Sequence, residues 1–327
     1  MVRFRCPQGC GSYHEHPDSL VGVRTTCPNT YRSYRVLPVP PNDMPGPYTV
    51  AEAWDLLSEK ILPIFKPFRL HNSFALPLTI PFANSDELLR QRQIQGIRPR
   101  QYRLLACALA RWLEPLILGS ACRQAIAKAE QFADGECTRK ELAQAEAKAW
   151  DDWRRQPGPA DPDEAARATA LRAEQEAAWT ALRAVRGGFR NTITQIVEVK
   201  YHQIVQSSPP GLWPKLLAAI DAIEDQVASS LIPYAHLETA TIIEEVLGPR
   251  IPPSGISTFR KWNGGTLVRL ATTIYQSQNF ADLAILADAL EEAGCSDEYT
   301  LEHCRTRGTH YRGCWVLDWI LNKDIWK

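Results

Sequence analysis

Apolar residues recur along most of this chain with a period near 3.6, the spacing that lines one face of an α-helix. Leu267, Leu270, Ala271 and Ile274 fall at i, i+3, i+4 and i+7, and Leu283, Leu286, Ala287 and Leu290 repeat that register. The repetition predicts two helices that pack as a pair. Leu104, Leu105, Ala108 and Trp112 predict a helix opening at Pro99, where a proline is tolerated because its missing N–H is unpaired in the first turn anyway. Behind Thr138 and Glu141, a capping-box pair, Leu142, Ala145, Ala149 and Trp153 trace another helical face. Further helices are predicted over residues 49–62, 85–96, 120–135, 193–205 and 241–247, and around Leu216, Ile220, Ile223 and Val227. The alanine-rich stretch 162–185 is expected to fold back on the helix before it, with Trp150, Trp153 and Trp179 in the seam. Residues 138–187 then read as an antiparallel helical hairpin projecting from the body.

The first 37 residues lack this period. Gly9, Gly11 and Gly22 sit at turn positions between short strand-like runs such as 2–5 and 33–37. Pro38, Pro40, Pro41, Pro45 and Pro47 follow, and so dense a set of prolines sets an extended, semi-rigid segment. The predicted fold is therefore mainly α, a multi-helix body with a helical hairpin, preceded by a small β zinc-ribbon-like module. The expected boundaries are 1–37 for that module, 38–48 for a Pro-rich linker, 49–248 for a helical domain, and 249–327 for a C-terminal helical module that begins in the Pro-rich loop 249–253.

Composition narrows the function classes. The 37 Lys and Arg residues balance the 37 Asp and Glu residues, so no whole-molecule field draws the chain to nucleic acid or to an anionic membrane. The opening residues hold two arginines and no apolar run, and no stretch of eighteen apolar residues occurs. The expectation is a cytoplasmic protein without a signal peptide or membrane span. Nine cysteines then read as thiols or metal ligands rather than a disulfide framework.

Three of those thiols, Cys6, Cys10 and Cys27, have the layout of two knuckles joined by a hairpin, which brings four donors into a tetrahedron around zinc. The fourth position holds Thr30, whose neutral hydroxyl is a poor zinc ligand. His14 or His16, just beyond the first knuckle, can complete a site of three thiolates and one imidazole, with His14 the preferred ligand. Around the second knuckle Arg24, Tyr31, Arg32, Tyr34 and Arg35 interleave guanidinium and aromatic groups, a combination that can hold phosphates and stack bases, and that equally suits a solvated hairpin.

A second cluster lies near the other end: Cys295, His303, Cys304, His310 and Cys314. His310 and Cys314 are four apart and share a face if a helix has begun by then. These residues suit a metal site or a Cys/His pair. They also suit a structural reading, with Cys295 at a helix end, Cys304 and Cys314 as small buried side chains, and His310 hydrogen-bonded in a turn. The phosphate-binding, dinucleotide, nucleophile-elbow and zinc-protease signatures are all absent. The adjacent pairs Asp151-Asp152, Glu244-Glu245 and Glu291-Glu292 diverge by about 100° on a helix and read as solvated faces.

On these residues the chain resembles an uncharacterised bacterial helical family abundant in large planctomycete genomes. The middle resemblance runs over Tyr102, Cys107, Asp134, Gly135, Thr138 and Glu141. Ala108 stands where the family often carries a second cysteine. The tail resemblance runs from Leu283 to Cys295 and then over His303, Cys304, Arg305, His310, Arg312, Gly313, Cys314, Trp315 and Asp318. Such modules are joined to varied partners, which implies an interaction or regulatory role and no assigned activity. The first residues are similar to zinc ribbons in which a Pro-x-x-Leu-x-Gly stretch, here Pro17 to Gly22, precedes the second knuckle. The functional expectation is a non-enzymatic adaptor that docks a protein partner. The alternatives are a nucleic-acid-binding regulator using the basic, tyrosine-containing ribbon, and an enzyme centred on the C-terminal Cys/His cluster.

Overall fold

A computed structural model describes residues 2–5, 13–16, 24–26, 33–35, 50–69, 85–94, 96–117, 119–155, 166–167, 174–186, 189–208, 212–249, 255–306 and 309–323. Strands β1 (Val2–Arg5) and β2 (Tyr13–His16) pair antiparallel, with Phe4 opposite His14. Strands β3 (Arg24–Thr26) and β4 (Ser33–Arg35) form a second antiparallel pair in which Arg24 is opposite Arg35 and Thr25 opposite Tyr34. Cys6, Cys10, Cys27, Thr30, Tyr31 and Arg32 lie outside the described residues, as do 38–48.

Helices make up nearly all of the rest. They are α1 (Val50–Ile61), α2 (Ser85–Ile94), α3 (Pro99–Trp112), α4 (Ser120–Ala133) and α5 (Arg139–Arg155). Next come α6 (Glu174–Arg186), α7 (Phe189–Ser207) and α8 (Trp213–Leu247). The last five are α9 (Ile256–Phe259), α10 (Thr266–Ser277), α11 (Leu283–Glu292), α12 (Glu298–Arg305) and α13 (Trp315–Leu321). Among the described residues no helix is long and apolar enough to cross a membrane. The separate helices expected near residues 216–227 and 241–247 are one element, the 35-residue α8. Pro233 sits within it, where its missing N–H removes one backbone hydrogen bond without ending the helix.

The chain falls into two compact units, Met1–Arg69 with Ile193–Leu231, and Leu70–Thr192 with Ile232–Lys327. In the first, Leu57, Ile61 and Phe65 are buried, as are Ile193 and Val197 of α7 and Leu216, Ile220 and Ile223 of α8. Thr194 donates a 2.7 Å hydrogen bond to the buried Glu224 carboxylate.

In the second unit α3 is buried almost throughout, from Gln101 to Ala110. Helix α6 lies along α3, and α5 lies along α4. The two helices expected to form the 138–187 hairpin thus each have a different chief neighbour. The reason is visible in α6: Ala177, Ala178 and Ala181 are fully buried and give a flat face that lets it approach α3 closely. Trp150 and Trp153 stack at 5.3 Å with Arg167 over both rings, whereas Trp179 faces Arg90. The predicted capping box forms: Thr138 N–H donates to Glu141 at 2.7 Å, and Glu141 N–H to Thr138 Oγ1 at 3.2 Å. Helices α10 and α11 pack together, with Leu267, Ala271, Ile274, Leu283, Leu286, Ala287 and Leu290 in one core with Trp315 and Trp319.

One buried charge centre ties this unit across long sequence distances. The side chain of Asp134, at the end of α4, is 1% exposed and pairs with Arg100 at 2.8 Å, Arg312 at 2.6 Å and Lys323 at 3.2 Å. The Tyr275 hydroxyl donates to the same carboxylate at 2.8 Å. Arg100 also grips Asp318 of α13 through both terminal nitrogens, at 2.5 and 3.0 Å. Burial pushes the Asp134 carboxyl up, but Arg100, Lys323, Tyr275 and Arg312 together bring it below its ordinary value. Removing one partner of such a group strands the rest in low dielectric. Asp134→Asn is therefore expected to destabilise the second unit by about 3–5 kcal/mol, read as a lower urea midpoint at unchanged slope. A loss under 1 kcal/mol would show that Asp318, Glu136 and solvent suffice for the three cations.

Candidate metal centre

Four side chains from the end of α8 and the segment 303–314 converge in the second unit. Glu245 lies two residues before the end of α8, which closes on Gly248 in the left-handed region (φ +56°). Gly248 has no room for a side chain, since a Cβ there would lie 2.4 Å from Cγ of Trp315. Trp315 in turn packs against the His303 ring at 4.8 Å and stacks on Tyr299 at 5.6 Å.

His303 is carried on α12, whose start is fixed by Asp297 accepting a 3.0 Å hydrogen bond from Thr300 N–H. The chain reaches α12 through a Schellman turn at the end of α11. Cys295 N–H bonds the Leu290 carbonyl at 2.9 Å, and Gly294 N–H (φ +92°) bonds that of Glu291, also at 2.9 Å. His310 lies in the turn between α12 and α13, and Cys314 is the N-cap of α13. Gly313 (φ +98°) sets this turn against Leu104 of α3.

The resulting geometry is tight. His310 Nδ1 lies 3.1 and 3.2 Å from the two Glu245 oxygens, and its Nε2 faces the Thr306 carbonyl at 3.4 Å. His303 Nε2 lies 3.1 Å from Glu245 Oε2 and 3.3 Å from Cys314 Sγ. One ligand atom from each of the four residues falls within 4.8 Å of every other. Two imidazole nitrogens, a carboxylate oxygen and a sulfur so arranged can hold a metal ion. His303, at 16%, has the most open side chain of the four, and Cys314 is fully buried.

The electrostatics follow from that burial. Desolvation alone would raise the Glu245 carboxyl, yet His310 and His303 hold it well below the carboxylate range. Burial lowers His310, and Glu245 and the Thr306 carbonyl more than reverse this, so its imidazole is raised. The Cys314 thiol is pushed far up by burial, with Glu245 and Cys304 adding to it, although the N–H groups of Leu317 and Val316 pull the other way. Cys304 is likewise pushed up by its burial and by Glu245.

Of the five residues of the C-terminal cluster, the structure brings His303, His310 and Cys314 together. Cys295 and Cys304 are buried beside this group and are not among its four donors. His310 and Cys314 meet through a turn, because α13 begins only at Trp315. Sequence reading missed Glu245, which it took for half of a solvated Glu244-Glu245 pair. Only Glu244 has a partly solvated role, in a 2.7 Å ion pair with Arg92. The signal lay in the divergence itself: two neighbouring acids on a helix point in different directions, so one can face inward while the other stays solvated. Arg305 pairs with Asp288 and Glu291 at the surface, and Arg312 turns inward to Asp134 and also reaches Glu136. Of the N-terminal candidates, His14, Arg24, Tyr34 and Arg35 lie on described strand backbone, and Cys6, Cys10, Cys27, Tyr31 and Arg32 lie outside the described residues.

Comparison with protein-family models, with curated proteins and with solved structures finds no match to this chain. The centre therefore stands on its own geometry. Gly248→Ala is expected to destabilise the second unit by about 1–3 kcal/mol through overpacking against Trp315, with added strain at positive φ. Urea unfolding followed by tryptophan fluorescence measures it, and an unchanged midpoint would refute the close approach of Trp315.

Proposed function

We propose that the chain is a non-enzymatic adaptor or regulatory module, in which a helical body stiffened by buried polar centres carries an N-terminal zinc-ribbon-like module that docks a protein partner. The observation in support is the state of Cys314. A catalytic thiol works as an exposed thiolate, whereas this one is fully buried and its thiol is driven up by burial and by Glu245. Its imidazole neighbours are engaged with the same carboxylate. That weighs against an enzyme centred on His310 and Cys314 and in favour of a structural role.

Zinc held by Cys6, Cys10, Cys27 and His14 belongs to this reading, as does membership of the planctomycete-type helical family. Iodoacetamide is expected to label Cys314 at least tenfold more slowly than the urea-unfolded chain, scored by peptide mass spectrometry. Labelling as fast as in the unfolded chain would return the enzyme reading to the front. The docking role is tested by affinity capture from the native host with the intact chain and its Cys27→Ser variant, followed by titration of the purified partner. The expected outcome is one partner bound directly by the intact chain and lost by the variant. Equal retention would place docking elsewhere, and no direct binding would overturn the adaptor reading.

A further inference from the structure

We infer that Glu245, His303, His310 and Cys314 form a structural zinc site, distinct from the N-terminal ribbon and independent of whether a partner docks there. The first argument is metric. With zinc bonds of about 2.0–2.1 Å to nitrogen or oxygen and about 2.3 Å to sulfur, the edges of a tetrahedral site come to about 3.3–3.6 Å. Measured to the one oxygen Glu245 Oε2, the separations are 3.1 Å for His303 and 3.2 Å for His310, and His303 lies 3.3 Å from Cys314, all close to those edges. No donor pair exceeds 4.8 Å, so small side-chain shifts suffice to centre an ion.

The second argument is charge. One carboxylate, one thiolate and two neutral imidazoles carry two negative charges, which a divalent cation cancels, leaving a neutral buried centre. Without a cation, His303 Nε2 faces the carboxylate and the sulfur together, and its single hydrogen cannot serve both fully.

The third argument is the outer shell. A metal-bound imidazole usually donates its second N–H to a carbonyl or carboxylate, which fixes the tautomer. His310 has that arrangement, with Nδ1 toward the centre and Nε2 at 3.4 Å from the Thr306 carbonyl.

Donor chemistry selects among metals. Thiolate and imidazole disfavour calcium and magnesium, which take oxygen, and suit zinc in four-coordinate geometry. Four protein donors close the shell, and three of the four side chains are less than a tenth exposed, so the site reads as structural rather than open to substrate. Its effect is to clasp the end of α8 to α12 and to the turn before α13. The Asp134 centre, by contrast, already has three cations of its own and calls for no metal.

The test uses the full chain carrying Cys6→Ser, Cys10→Ser and Cys27→Ser, so that any zinc must lie elsewhere. Purified without added metal, it is expected to hold close to one zinc per chain by elemental analysis. X-ray absorption at the zinc edge should show one sulfur at about 2.3 Å and three nitrogen or oxygen donors at about 2.0–2.1 Å. Adding Cys314→Ser is expected to remove the sulfur shell and weaken zinc binding at least tenfold. The spectrum of the parent reads the ligand set even if that last variant fails to fold. A helical parent chain that binds no zinc, a spectrum without sulfur, iron or copper held in preference to zinc, or binding unchanged by Cys314→Ser would each overturn the assignment.

Discussion

A carboxylate that leaves water must find counter-charge or hydrogen-bond donors, and the second unit is organised around that requirement. Glu245 and Asp134 are both withdrawn from solvent, and each recruits partners from elements far apart in sequence. Asp134 gathers guanidinium and ammonium groups from α3 and from segments flanking α13. Glu245 gathers two imidazoles and, through His303, a thiol. The apolar core of α10, α11 and α13 supplies the bulk of the burial, but such packing is non-directional. The polar centres set which residue faces which.

Much of the helical architecture was legible because it rests on local rules. The twin apolar registers of α10 and α11, the proline opening α3 and the capping box at Thr138 each encode an element within a few residues. Pairing between elements was less accessible. Alanine on α6 announced a close helix contact but not its partner, since an alanine face fits any flat neighbour. The two halves of α8 read as separate because only the apolar spacing at Leu216 to Val227 and over 241–247 was followed, and the stretch between them is the same helix.

The candidate centre was half legible for a related reason. His303, His310 and Cys314 stand close in sequence and drew notice together. Glu245 precedes them by dozens of residues and looked like one of two solvated acids. Its inward placement depends on where α8 ends, and that depends on Gly248 accepting a left-handed conformation against Trp315. Cys295 and Cys304 drew equal notice and lie buried outside that group of four. Cys295 occupies the position after the glycine of a Schellman turn, where a small apolar side chain closes the helix end.

Both centres draw on one short segment: His310, Arg312, Cys314 and Asp318 alternate between them within nine positions. Asp134 precedes Arg312 by 178 residues and Glu245 precedes His310 by 65. On a ribosome, Asp134 can meet Arg100 early, but neither carboxylate can complete its set of partners until this segment has emerged. The helices that carry Asp134 and Glu245 are made much earlier and wait with their charged ends hydrated. Assembly of this unit is thereby deferred to a late, concerted docking step, with the long-range contacts that slow folding concentrated in a single stretch of chain.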